Sequence, residues 1–218
     1  MRLELRGVSA AYARRGTLVL RDIDLVAETG DTIAVVGPSG SGKSTLLGVM
    51  SGLASTVGGS CLLDGDALVS AANRRRLSRL VAWIPQNGSV FPRRTAIQNA
   101  MAAALAGGMS WHLAASSARS ALRRLDLEGK ADIEARRLSG GEIQRVCVAR
   151  ALAAGRPLVL ADEPTGQLDR VTTLLVAERL LQPRNADVCI VLVTHDPEIA
   201  SLCSQVWSMR DGTLERQT

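Results

Sequence analysis

Thr32-Ile33-Ala34-Val35-Val36 running straight into Gly37-Pro38-Ser39-Gly40-Ser41-Gly42-Lys43-Ser44 narrows the folds open to this chain more than any other stretch. An unbroken apolar run without polar alternation suits a strand covered on both faces, the habit of parallel sheets. Parallel neighbours need long crossovers, usually helices, so the run commits the chain to alternating strands and helices. The glycines at 37, 40 and 42 let the backbone curl until successive N–H groups point inward. A helix expected over 44–50, ended near Gly52, adds the positive end of its dipole. Such a loop cradles phosphate, with Lys43 reaching the β- and γ-phosphates and Ser44 offering a hydroxyl to magnesium. Lys43 and Lys130 are the only lysines among 26 basic residues, so the chain uses arginine wherever a basic group is merely needed. At 43 a planar guanidinium would not serve.

The rest of the chain reads around that core. Alternation in Leu3-Glu4-Leu5-Arg6 and Ile23-Asp24-Leu25 predicts short half-buried strands near the N-terminus, and Gly58-Gly59 and Asp64-Gly65 bracket another over 61–63. From Arg94 to about Arg137 alanine, leucine and arginine dominate, which predicts a helical insert. Strand-like runs return at 158–161 and 188–193, and Asp211-Gly212 within 209–214 predicts the turn of a closing hairpin. At 218 residues there is room for one domain, 1–218, with a helical subdomain at about 94–140. The expected fold class is α/β: a parallel-sheet core, an N-terminal antiparallel β subdomain and an inserted α-helical subdomain.

Two further segments carry chemistry. Asp162 ends the apolar run Leu158-Val159-Leu160-Ala161, so its carboxylate emerges at the carboxyl edge of the sheet, where α/β folds bind ligands, and can hold magnesium. Glu163 beside it is placed to polarise an attacking water. Leu138-Ser139-Gly140-Gly141-Glu142-Ile143-Gln144-Arg145 reads as a capped helix start whose hydroxyl, close backbone N–H groups and dipole favour an anion. A chain with its own phosphate loop gains nothing from a second anion site unless another molecule's γ-phosphate docks there.

In that set of motifs the chain resembles the ATP-binding-cassette (ABC) ATPases from about Leu3 to Leu214. Asp162-Glu163-Pro164-Thr165-Gly166-Gln167-Leu168-Asp169 follows the family's motif for eight consecutive residues, and the octet at Leu138 is its signature. The resemblance implies a P-loop NTPase of ABC type that dimerises head to tail around two ATP molecules, each held between Lys43 of one subunit and Ser139 of the other. It assigns nucleotide contacts to Gly37, Pro38, Ser39, Gly40, Ser41, Gly42, Lys43, Ser44 and Thr45, and across the dimer to Ser139, Gly140, Gly141 and Glu142. Asp169 falls on the loop that communicates between the two sites. Gln86 matches the glutamine that reaches magnesium and the attacking water, and His195 the histidine that contacts the γ-phosphate; a lone histidine at a strand end is otherwise structural. Tyr12 matches the aromatic that stacks on adenine, with a packing tyrosine as the alternative.

Composition bounds the partners. The net charge of +5 suits a solvated surface, or attraction to anionic lipid heads. The arginines cluster without interleaved aromatics, of which the chain has five (three Trp, one Tyr, one Phe), so stacking on nucleic acid is not expected. Cys61, Cys147, Cys189 and Cys203 are scattered and read as small core residues in a reducing compartment. No apolar run nears the ~18 residues a spanning helix needs, and Glu4 and Arg6 interrupt the first apolar stretch, against a signal peptide. The resemblance then implies ATP and Mg2+ as cofactors, a homo- or heterodimer of nucleotide-binding domains, a separate integral membrane permease-type subunit, and a place at the cytoplasmic face of the membrane. Val90, Phe91 and Ile97, with Arg93 and Arg94, are the expected docking surface for that subunit. Within the family, Leu-Ala-Asp-Glu-Pro-Thr-Gly at 160–166 and Val193-Thr194-His195-Asp196-Pro197 are most like the lipoprotein-releasing, macrolide-exporting and cell-division group. Two rivals stand beside transport: a regulatory ATPase that transmits motion without moving cargo, and a soluble ABC ATPase acting on DNA or the ribosome.

Overall fold

The structure is a computed structural model that describes residues 1–11, 17–182 and 187–217; Tyr12 lies outside the described residues. Two long strands open the chain, β1 (Arg2–Ala11) and β2 (Leu18–Glu28), antiparallel to each other. They are longer than the short strands expected, and the reason is a bulge. The period of two that buries Leu3 and Leu5 slips at Gly7, and Val8 and Ala10 then resume the buried face. Gly7 takes φ +55°, and its N–H is received by Asp24 Oδ1 at 2.9 Å. An alternation broken by one residue reads as a strand end, whereas a bulge lets it continue.

The apolar run at 32–36 forms β3 (Thr32–Val36), followed by the glycine loop and α1 (Lys43–Met50). Next come β4 (Gly58–Leu63), β5 (Asp66–Ala67), α2 (Ala71–Leu80) and β6 (Val81–Ile84). The helix α2 has no counterpart in the sequence reading. Four of its ten residues are arginines and, among those whose burial is described, only Leu77 is deeply buried, so its apolar stripe is too thin to show; Ser70 caps it by accepting the Asn73 N–H. The insert then supplies α3 (Ala96–Ala106) and α4 (Trp111–Arg124), two short 3-10 turns, and α5 (Gly140–Ala154). The chain closes through β7 (Leu158–Asp162), α6 (Arg170–Leu181), β8 (Cys189–Val193), α7 (Pro197–Ser201), β9 (Gln205–Arg210) and β10 (Thr213–Gln217). Asp211 and Gly212 make the hairpin turn between the last two strands, at φ +47° and +82°, as the left-handed turn of a two-residue hairpin requires.

Two sheets result. One is antiparallel in the order β2-β1-β4-β5; the other runs β10-β9-β3-β8-β7-β6, parallel except for β10. Both faces of the second are covered. Ala34, Val159, Ala161, Ile190 and Leu192 join the core shared with α3, α4, α5 and α6. Ile33, Val35, Leu158, Leu160, Val191 and Val193 point the other way, into the core made with α1 and the antiparallel sheet. All five residues of β7 and of β8 are buried, which explains their lack of alternation. Cys147 and Cys189 are core residues as expected, while Cys61 and Cys203 are half-buried at the margins of the two cores. Burial pushes the Cys61 thiol up to about 11 and the Cys203 thiol up to about 12. Among the described residues, no helix is long and apolar enough to cross a membrane.

Candidate nucleotide site

At the carboxyl edge of the parallel sheet lies a cleft of about 440 Å³. It brings together Gly37, Ser39, Gly40, Gly42, Lys43, Ser44, Thr45, Gln86, Asp162, Glu163 and His195. These come from the ends of β3, β6, β7 and β8, adjacent strands whose loops converge because all four run in one direction. A larger cleft of about 540 Å³, between α4, α5 and the other end of β7 and β8, is lined mainly by aliphatic side chains and serines. The residues expected to act on phosphate and water converge in the first.

The loop depends on glycine at two places for different reasons. At Gly37 a β-carbon would lie 2.1 Å from the Met209 carbonyl oxygen, so no side chain fits. At Gly42 the backbone takes φ +112° immediately before α1. Lys43 folds back over the loop, its Nζ donating to the carbonyls of Gly37 (2.9 Å) and Pro38 (2.8 Å), and is only 9% exposed. Its charge is thereby held at the cleft by the loop itself. Pro38 and Ser41 belong to the loop but do not line the cleft; Ser41 is turned inward and buried.

Asp162 ends β7, nearly buried, opposite Val193 of β8. Glu163 follows at φ +48°, its N–H donated to the Val193 carbonyl at 3.1 Å. A non-glycine residue in the left-handed region costs roughly 1–3 kcal/mol, a strain that folds keep chiefly where a side chain must be aimed. The aim is visible: Glu163 Oε2 lies 2.6 Å from His195 Nδ1. The rest of the His195 ring stays open, at 73% side-chain exposure.

Gln86 reaches the cleft from a stretch without regular secondary structure. That stretch is held by α5. The fully buried Gln144 donates Nε2 to the Pro164 carbonyl at 3.1 Å and, more weakly, to the Pro85 carbonyl at 3.4 Å. One amide thus joins the residue after Glu163 to the residue before Gln86. Two turns along the helix, Arg150 donates to the Ser89 carbonyl (2.7 Å) and to the Asn99 carbonyl and Oδ1 (3.0 and 3.2 Å). Asn99, itself fully buried, receives the Phe91 N–H at 2.7 Å. Nothing in the sequence marks Gln144, Arg150 or Asn99 for this bonding.

The signature segment opens α5 with a reciprocal cap: Ser139 Oγ receives the Glu142 N–H (3.3 Å), and Glu142 Oε2 receives the Ser139 N–H (2.9 Å). Lys130, and then the Ser139 N–H, hold the Glu142 carboxyl below its ordinary value. Gly141 packs against Leu168, where a β-carbon would sit 3.1 Å from the leucine side chain. Asp169, next along, caps α6 by receiving the Thr172 N–H (3.1 Å) and hydroxyl (2.6 Å), and these bonds lower its carboxyl pKa. Ser139, Gly140, Gly141, Glu142 and Asp169 are all absent from the lining of the phosphate cleft. Within one chain the signature segment and the glycine-loop cleft do not meet.

A protein-family profile described as ABC transporter matches residues 20–166. The chain is 38% identical over 98% of its length to the lipoprotein-releasing system ATP-binding protein LolD of Shewanella oneidensis, and spans 95% of that protein. It is 36% identical over 99% of its length to the macrolide export ATP-binding/permease protein MacB of Syntrophobacter fumaroxidans, but spans only 31% of it. The chain therefore spans about a third of the length of the ATP-binding/permease relatives that it matches. Among solved structures, the ATP-binding cassette MJ0796, dimeric in a post-hydrolysis state and bound to ADP and Pi, superposes with a TM-score of 0.88 at 29% identity, over 99% of this chain and 97% of that one. The expected fold is borne out. With a profile over more than half the chain and a relative matched nearly end to end, one family remains: the chain is an ATP-binding cassette of the ABC transporters.

Proposed function

We propose that two copies of this chain close head to tail around two ATP molecules and hydrolyse them, each site joining the phosphate cleft of one copy to the signature helix of the other. The observation that carries this reading is the separation, within one chain, of an exposed capped helix start at Ser139 from a complete phosphate cleft. Lys43 would exchange its two loop carbonyls for phosphate oxygens, and the loop N–H groups would hold the rest of the phosphate chain. Ser44, Asp162 and Gln86 present hydroxyl, carboxylate and amide oxygens to one cleft, the hard donors that suit magnesium. A magnesium ion held by them would supply charge neutralisation between the β- and γ-phosphates. Glu163, fixed by His195, takes the proton of the attacking water.

Relatives named as ATP-binding/permease proteins support a further assignment: this chain works at the cytoplasmic face of a membrane, beside a membrane-embedded permease-type subunit. Phe91 supports that reading: its side chain is 59% exposed, flanked by the half-buried Val90 and the exposed Arg93 and Arg94. Ile97 is a correction to the expected surface, because it is buried in the core that the insert shares with the sheet. The test of the shared site uses cysteines at Ser39, which is exposed in the loop, and at Ser139. Crosslinks should form between chains and only with ATP. Links within one chain would sink the shared-site reading.

A further inference from the structure

The chain's second lysine stands beside the signature helix. Lys130 ends the 3-10 turn Glu128–Lys130, and its ammonium pairs with the Glu142 carboxylate. Two neighbouring acids are matched elsewhere, Glu128 with Arg123 and Glu134 with Arg136. Arg145 also lies near enough to lower the Glu142 pKa, but its guanidinium donates to the Leu125 carbonyl. Glu142 is the only acid in α5. A carboxylate in the first turn stabilises the helix, yet it competes for the same positive end that an incoming phosphate would use.

We infer that Lys130 is a charge-balancing residue of the composite ATP site: it neutralises Glu142, so that the signature helix keeps its reciprocal cap and still accepts the γ-phosphate bound to a second copy of the chain. This rests on the shared-site reading above. Stability does not explain the pair, since Lys130 is 46% exposed and such ion pairs add little to folding. Electrostatics at the site does. An unbalanced unit charge about one helical turn from the phosphate, at effective dielectric constants of about 30 to 80, would weaken ATP-driven closure by about three- to thirtyfold.

The experiment is a double-mutant cycle in a Glu163→Gln parent, in which ATP is bound but not consumed, read as the ATP concentration at half-maximal dimer by light scattering. Lys130→Gln should raise that midpoint by about three- to thirtyfold. Glu142→Gln leaves the Lys130 ammonium uncompensated and should lower the midpoint, and adding Glu142→Gln to Lys130→Gln should bring it back towards the parent. Lys130→Arg, which keeps the charge, should also match the parent. A midpoint indifferent to Lys130→Gln overturns the inference, as does a double variant as weak as Lys130→Gln alone. A parent that forms no dimer at any ATP concentration overturns the shared-site reading, and the inference with it.

Discussion

Glutamine at position 163 removes one proton acceptor and little else. It is isosteric with glutamate, can hydrogen-bond the His195 ring nitrogen now 2.6 Å from Oε2, and meets the same left-handed backbone at φ +48°. The groups expected to hold the phosphates, Lys43 and the loop N–H groups, lie on another strand end and are untouched. Loss of a general base lowers the rate by about 10²–10⁴. At about 1.36 kcal/mol per tenfold, that is about 3–5 kcal/mol of transition-state stabilisation. Phosphate release at saturating ATP should therefore fall by at least about a hundredfold, while binding of a fluorescent ATP analogue stays at parental affinity. Glu163→Ala gives the contrast, because it also frees His195. Its turnover should be no higher than that of Glu163→Gln. Turnover of Glu163→Gln within about tenfold of the parent would refute the base assignment. Loss of nucleotide binding alongside turnover would show instead that Glu163 acts by holding the loop between β7 and α6.

Four further outcomes follow from the geometry. Lys43→Ala should weaken nucleotide binding by about ten- to a hundredfold in a fluorescence titration, the scale of one lost charged hydrogen-bonding group. Gly37→Ala forces a β-carbon to within 2.1 Å of the Met209 carbonyl oxygen, so the loop and β9 must separate; thermal unfolding should show a loss of about 1–3 kcal/mol. Asn99→Leu strips the Phe91 N–H of its acceptor and the Phe91, Arg94 and Thr95 carbonyls of a donor, and denaturant unfolding should show a loss of about 2–4 kcal/mol. The Cys61 thiol, raised from 9.0 to about 11, and the Cys203 thiol, raised to about 12, should alkylate slowly at neutral pH. Because the folded values lie above the unfolded ones, their share of stability is intact below about pH 9 and lost as pH rises towards 11–12, which unfolding curves across that range would check.

Some of this was legible in the sequence because it depends on what a residue is. Glycines that let a loop curl, an Asp-Gly turn, an unbroken apolar run and a helix start capped by Ser139 each follow from side-chain identity over a few positions, and each appears at the expected place. The misses have physical causes. The Gly7 bulge broke the period of β1, and α2 buried too little to show a stripe. The expected surface at Ile97 failed because an apolar residue in the first turn of α3 faces the core as readily as a partner.

The most consequential miss is the tie between α5 and the segment carrying Gln86 and Phe91. Gln144 and Arg150 act on the carbonyls of Pro85, Pro164, Ser89 and Asn99. A carbonyl is the same acceptor whatever side chain stands beside it, so nothing at Pro85 or Ser89 advertises the bond. Only the donors have identity, and in sequence they lie roughly 20 to 60 positions from their acceptors. What could have been read is that a glutamine and an arginine recur among apolar positions of α5. A buried polar side chain is costly unless satisfied, so each implied an acceptor waiting in the fold. The helix that opens with the signature is thus bonded to the stretches that place Gln86 and Glu163. On the proposed function, docking at Phe91, γ-phosphate at Ser139 and water activation at Glu163 would therefore be linked through the bonds of one helix.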